Sequence, residues 1–164
     1  MEIDLGSGRT AKSVSVGFGF ACVILDDDTL RCWGSNNYGQ LGVGDQNNRD
    51  EPAGPVNLGS GRTAKSVACG RLNTCALLDN NTIKCWGDEH SAGYWTYCAG
   101  CDRDNHILTP KSDPINLGSG RTAKVMARGY SHTCAILDDD TAKCWGLNSN
   151  GLLGSGSTND KVGF

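Results

Sequence analysis

The sequence is one unit written three times. Leu5-Gly6-Ser7-Gly8-Arg9-Thr10-Ala11-Lys12 returns from Leu58 to Lys65 and again from Leu117 to Lys124, with starts 53 and 59 residues apart. In each copy a cysteine follows twelve residues after the threonine (Cys22, Cys75, Cys134), and Cys-Trp-Gly begins ten residues later, at Cys32, Cys85 and Cys144. Self-similarity of this length marks an array in which units too small to bury their own faces stack on neighbours and share a core. The repeat boundaries expected from the pattern are 1–56, 57–115 and 116–164, with an insertion at about 88–109 in the second unit.

Within a unit the pattern predicts β-structure. Cys22-Val23-Ile24-Leu25 and Leu30-Arg31-Cys32-Trp33 are apolar runs rich in β-branched and aromatic residues, and Asp26-Asp27-Asp28-Thr29 between them is turn-forming. Folding this hairpin about Asp27 sets residue 22 opposite 32 and 24 opposite 30. Side chains alternate along a strand, so Cys22 and Ile24 share one face while Val23, Leu25 and Trp33 share the other. Both faces are apolar, so the sheet must be covered on both sides, as in stacked or radial sheets. No segment sustains a helical apolar period, and 23 glycines point to many turns.

Opposed residues in a close antiparallel pair are near enough for a disulfide. The expected bridges are therefore Cys22 to Cys32, Cys75 to Cys85 and Cys134 to Cys144, each closing a short loop worth about 2 to 3 kcal/mol in the chain-entropy account. Small buried apolar thiols are the alternative. Disulfides in every repeat imply an oxidising compartment and an extracellular or secreted chain. The opening Met1-Glu2-Ile3-Asp4 is acidic and no secretory leader, so a leader has been removed or the chain is a segment of something longer.

The run hydrophobic-Leu-Asp-Asp-x-Thr-x-x-Cys-Trp-Gly, followed by Asn37-Tyr38-Gly39-Gln40-Leu41-Gly42, resembles the regulator-of-chromosome-condensation repeat family over essentially the whole chain. That resemblance implies four-stranded antiparallel blades of a β-propeller, usually seven-bladed, and a role in protein binding, including nucleotide exchange on a small GTPase by the founding nuclear member. No exchange residue carries over, because no motif here matches one. Gly-Gln-Leu-Gly is intact in the first copy, reads Gly151-Leu152-Leu153-Gly154 in the third and is lost from the second. In its place the second copy carries an insertion with His90, Trp95, Cys98, Cys101 and His106.

Cys98-Ala99-Gly100-Cys101 admits several readings. A thioredoxin-like site wants a helix N-terminus, which an all-β unit does not offer. Zinc could draw on Cys98, Cys101, His106 or His90, with Cys69 as a fourth ligand. The simpler reading is an extra disulfide within the insertion or to Cys69, which stands where the sister copies have Val16 and Arg128; the cysteine left over is a candidate intermolecular link. Asn80-Asn81-Thr82 is an N-glycosylation sequon on the second hairpin turn.

Gly-Ser-Gly-Arg-Thr lacks the Gly-Lys-Ser/Thr ending of a nucleotide-binding loop, and its recurrence favours a structural turn, with Arg9, Arg62 and Arg121 expected to pair acidic turns of adjacent blades. The Asp26-Asp27-Asp28 and Asp138-Asp139-Asp140 runs fit acidic hairpin turns better than calcium sites. His90, His106 and His132 accompany no nucleophile with a recognisable signature, so no catalytic constellation, cofactor or metal is expected. A net charge of −3 disfavours nucleic acid, and no run of about 18 apolar residues marks a membrane span.

The reading is a non-enzymatic extracellular structural or interaction module, a building block of a larger assembly. A secreted lectin-like or inhibitor propeller is the alternative, and it expects Trp33, Trp86 and Trp145 exposed. A redox or zinc protein centred on the Cys98/Cys101 loop is a third reading. The expected partners are copies of the chain or adjoining repeats, other proteins and an N-glycan at Asn80. Both termini fall in the same inter-repeat phase, which suggests head-to-tail packing, into a ring or an open filament.

Overall fold

The computed structural model describes residues 2–88 and 106–158. Among the described residues ten strands run in chain order: β1 (Ala11–Val16), β2 (Phe20–Leu25), β3 (Leu30–Gly34), β4 (Ala64–Cys69), β5 (Asn73–Leu78), β6 (Ile83–Asp88), β7 (His106–Ile107), β8 (Ala123–Arg128), β9 (His132–Leu137) and β10 (Ala142–Gly146). They form three antiparallel sheets, ordered β1-β2-β3, β4-β5-β6-β7 and β10-β9-β8. The fold is all-β and the sheets are propeller blades. No helix among the described residues is long and apolar enough to cross a membrane.

Four regular strands per blade are present in the second sheet alone among the described residues. In the first, residues 49–56 still follow the outer edge of β3. Arg49 bridges Gly34, and the amides of Ala53 and Val56 donate to the carbonyls of Cys32 and Leu30. Pro52 and Pro55 in that stretch lack an N–H, which breaks the ladder into isolated bonds.

Each central hairpin turns the same way. Leu25, Leu78 and Leu137 close three-residue loops, their amides donating to the carbonyls of Thr29, Thr82 and Thr141, and Asp28, Asn81 and Asp140 hold a left-handed φ of 64°. Asp and Asn tolerate that conformation better than other non-glycine residues, which explains the turn composition. The turn fixes the register, setting Cys22 across from Cys32, Cys75 from Cys85 and Cys134 from Cys144. The first strand of each sheet carries a bulge at Lys12, Lys65 or Lys124. One continuous apolar cluster runs through all three sheets, including Phe20, Leu58, Leu78, Trp86, Leu117, Leu137 and Trp145.

Candidate interaction surfaces

At one end of the blades the repeated polar residues pair within their own repeat. Arg9 meets Asp26 at 3.2 Å, Arg62 meets Asp79 at 3.0 Å and Arg121 meets Asp138 at 3.0 Å. The backbone amides of Thr10, Thr63 and Thr122 donate to the other oxygen of the same carboxylates. The expectation of pairing between adjacent blades is therefore corrected. Antiparallel β1 and β2 bring the Gly-Ser-Gly-Arg-Thr turn directly beside the hairpin turn of the same sheet. The bulge re-aims the neighbouring lysine, so Lys12 reaches Asp28 and Lys124 reaches Asp140, while Lys65 bonds Asn81. The middle carboxylate of each acidic run is also engaged: Asp27 and Asp139 accept from Thr29 and Thr141, whose hydroxyl bonds chiefly hold both carboxyls below their ordinary range. Asp138 is lowered first by the Thr122 amide.

Asn80 replaces the aspartate at this position in the second copy and lies exposed, its side-chain oxygen accepting from the amide and hydroxyl of Thr82. The cysteine pairs lie deep in the hairpins, fully buried at Cys22, Cys32, Cys75 and Cys85. Their Sγ atoms stand at disulfide distance, with Cα separations of 4.1, 4.0 and 4.1 Å.

Between blades, the Gly39-Gln40-Leu41-Gly42 loop plugs into the next sheet. Asn36, buried, organises it: its side-chain oxygen accepts from Leu41 and its amide donates to the Asp45 carbonyl. The Gln40 carbonyl then accepts from the indole N–H of Trp86 at 3.0 Å and the hydroxyl of Thr74 at 2.7 Å. Gly42 lies so close to the ring that a Cβ there would stand 2.4 Å from the indole nitrogen. Asn148 repeats the device in the third copy, accepting from Leu153 and donating to Ser157. Trp86 and Trp145 are buried and Trp33 is half-buried, against the exposed tryptophans that the lectin-like alternative expects.

Cys69 and Arg128 occupy equivalent positions and both reach back to the preceding sheet. Cys69 stands as a thiol, its Sγ 3.4 Å from the Ser15 carbonyl and its amide donating to the Ser15 hydroxyl. Burial pushes that thiol up to about 11. Arg128 donates to Asn73, Thr133 and the Cys75 sulfur. Burial lowers it to about 10, which leaves it charged at neutral pH. Val16, the first copy's counterpart, is exposed. His106 packs edge-on against Tyr38, with ring centroids 4.9 Å apart. His90, Trp95, Cys98 and Cys101 lie outside the described residues, so the zinc, redox and loop-disulfide readings have no geometry here.

The opposite end of the blades carries different chemistry. There Gly17, Gly70 and Gly129 open tight turns closed onto Phe20, Asn73 and His132, and the next residue in each, Phe18, Arg71 or Tyr130, points outward. The insertion leaves and re-enters the second sheet at Asp88 and His106, which pair with each other, and the Asp88 amide bonds the Leu72 carbonyl beside Arg71.

The sequence profile of the regulator of chromosome condensation (RCC1) repeat matches residues 11–40, 64–91 and 126–152, and a second profile of the same repeat matches 27–77. The chain belongs to the RCC1 repeat family. Human E3 ubiquitin-protein ligase HERC2 is 29% identical over 156 residues, covering 93% of this chain and 3% of its own. The Arabidopsis thaliana ultraviolet-B receptor UVR8 is 30% identical over 157 residues, covering 94% of this chain and 33% of its own. The chain thus spans no more than a third of these relatives. Among solved structures, Prp20p of Saccharomyces cerevisiae superposes with a TM-score of 0.78 at 22% identity, over 93% of this chain and 36% of that one. The ectodomain of the Arabidopsis thaliana receptor kinase ACR4 does so with a TM-score of 0.51 at 18% identity, over 87% and 38%. RCC1 repeats of this fold mediate protein interactions.

Proposed function

We propose that this RCC1-repeat chain is a non-enzymatic extracellular interaction module, disulfide-clamped in every blade, that stacks on further blades of its own kind within a larger assembly. One observation carries the reading: the reactive or charged residues repeated in all three copies are engaged with one another. The cysteines face each other, the arginines and lysines hold the hairpin turns, and the buried tryptophans serve the joints. Such residues build a scaffold and leave variable loops to make contacts. The Gln40 joint supports stacking on like repeats, since its socket residues recur as Thr133 and Trp145 and its plug loop returns in the third copy.

Three hairpin bridges suit an oxidising compartment, and the ACR4 ectodomain is a precedent for such a fold outside the cell. Asn80, exposed on its turn with Thr82 two residues on, suits an N-glycan. In the same proposal Cys98 or Cys101, as the cysteine left over, links a second chain. The test is intact mass of the natural material before and after reduction, thiol blocking and glycosidase treatment, with light scattering for assembly. The expected result is six cysteines protected until reduction, a glycan on Asn80 and a mass above that of one chain. Six freely reactive thiols at Cys22, Cys32, Cys75, Cys85, Cys134 and Cys144 would overturn the extracellular reading.

A further inference from the structure

We propose that Phe18, Arg71 and Tyr130 form a docking ridge for an acidic segment of a partner protein, one that sets a carboxylate on Arg71 and an apolar side chain against each flanking ring. The proposal rests on the interaction-module reading and names the surface and the partner chemistry. The three residues hold the same place in consecutive repeats, and the blades set them shoulder to shoulder. The Phe18 amide donates to the Gly70 carbonyl at 3.1 Å, and the Arg71 amide donates to the Tyr130 carbonyl at 3.0 Å. Phe18 is 67% exposed and Tyr130 60%. Arg71, which has a blade on either side, is exposed as well, so exposure belongs to the position and is no effect of the array's ends. Val16 differs, because its counterparts Cys69 and Arg128 are covered by the preceding sheet.

Among the described residues the Arg71 charge at this end is uncompensated where the opposite end is closed. Arg9, Arg62 and Arg121 each sit on an aspartate of their own repeat, whereas Arg71 forms no ion pair among the described residues. Its guanidinium instead lies 5.2 Å from the centroid of the Tyr130 ring. Stacking on an aromatic face holds the planar cation while leaving its N–H edge open to a carboxylate in bidentate fashion. Asp88 shares this end and its charge acts on the buried Arg128. Aromatic residues flanking an arginine are the composition in which binding energy concentrates at protein interfaces. One arginine in the ridge, on a chain of net charge −3, is a poor match to a phosphate backbone, which favours protein over nucleic acid.

The experiment is selection of displayed random peptides on the folded, unreduced chain, followed by fluorescence anisotropy of the selected peptides. Expected are peptides with Asp or Glu flanked by apolar residues, bound about tenfold or more weakly by R71E and by F18A or Y130A. R71K, which keeps charge and loses the fork, should fall between, and R121A at the opposite end should bind as the parent does. Absence of acidic enrichment, binding indifferent to R71E, preferential displacement by an oligouridylate, or no binder at all would overturn the ridge. Thiol protection of the six hairpin cysteines, measured on every variant, separates this failure from failure of the module reading: a chain oxidised in all three hairpins that selects no such peptide overturns the ridge alone.

Discussion

The joint between the first and second sheets and the joint between the second and third use the same tryptophan in different surroundings. At the first, the Trp86 indole N–H and the Thr74 hydroxyl converge on the Gln40 main-chain carbonyl, delivered by a glycine-flanked loop. At the second, Trp145 is equally buried, yet its indole N–H has no acceptor among the described residues, and Thr133, the counterpart of Thr74, accepts from Arg128. Arg128 also crosses to Asn73, where the first joint has the small thiol of Cys69 on Ser15. One joint is therefore made by backbone and tolerates change in the side chain at its centre. Among the described residues the other leans on one buried cation, Arg128.

The sharpest way to break that contrast is at the cation. Arg128→Met should cost about 3 kcal/mol in urea unfolding, because it strands Asn73 and Thr133 in a buried site. Cys69→Ala at the equivalent place should cost about 1 kcal/mol, and equal losses would show that the two joints share one design. Next come the loop glycines. Gly42→Ala drives a Cβ into the Trp86 ring and should cost about 2 kcal/mol. Gly154→Ala, with the same left-handed backbone and nothing within 4 Å, should cost about 1 kcal/mol from conformation alone.

A smaller difference is expected at the rings: Trp86→Phe should destabilise more than Trp145→Phe by about 1 kcal/mol, since among the described residues only the first breaks a hydrogen bond. The smallest effect is alkaline. Burial raises Cys69 from 9.0 to about 11, so the unfolded chain ionises first and stability falls as pH rises. Between about pH 8 and about pH 9 the loss should be about 0.3 kcal/mol, measured as the difference from Cys69→Ser.

What the sequence disclosed follows from which contacts are local. The opposition of Cys22 to Cys32 depends on one turn and a period of two, so it could be read from spacing. The pairing of Arg9 also lies within one sheet, but it needs the β1 to β2 register, which the weakly apolar β1 does not reveal. Gly-Gln-Leu-Gly was visible as a motif while its task was not, because the atom that matters is a carbonyl every residue possesses. Arg128 gave a signal in its mismatch with Val16 and Cys69, and the ridge gave one in Phe18, Arg71 and Tyr130 sharing a phase. Both signals become legible once the blades are laid side by side.

The hairpin bridges proposed above would have a mechanical consequence. Ten residues separate each pair of cysteines, yet their Cα atoms stand about 4 Å apart, a span that the bridge would fix. A pulled repeat would thus yield about 30 Å less chain than its sequence length allows. Stretched from its ends, such an array would give up its loops and outer strands while each central hairpin stayed shut, and reduction would lengthen the same chain without changing a residue.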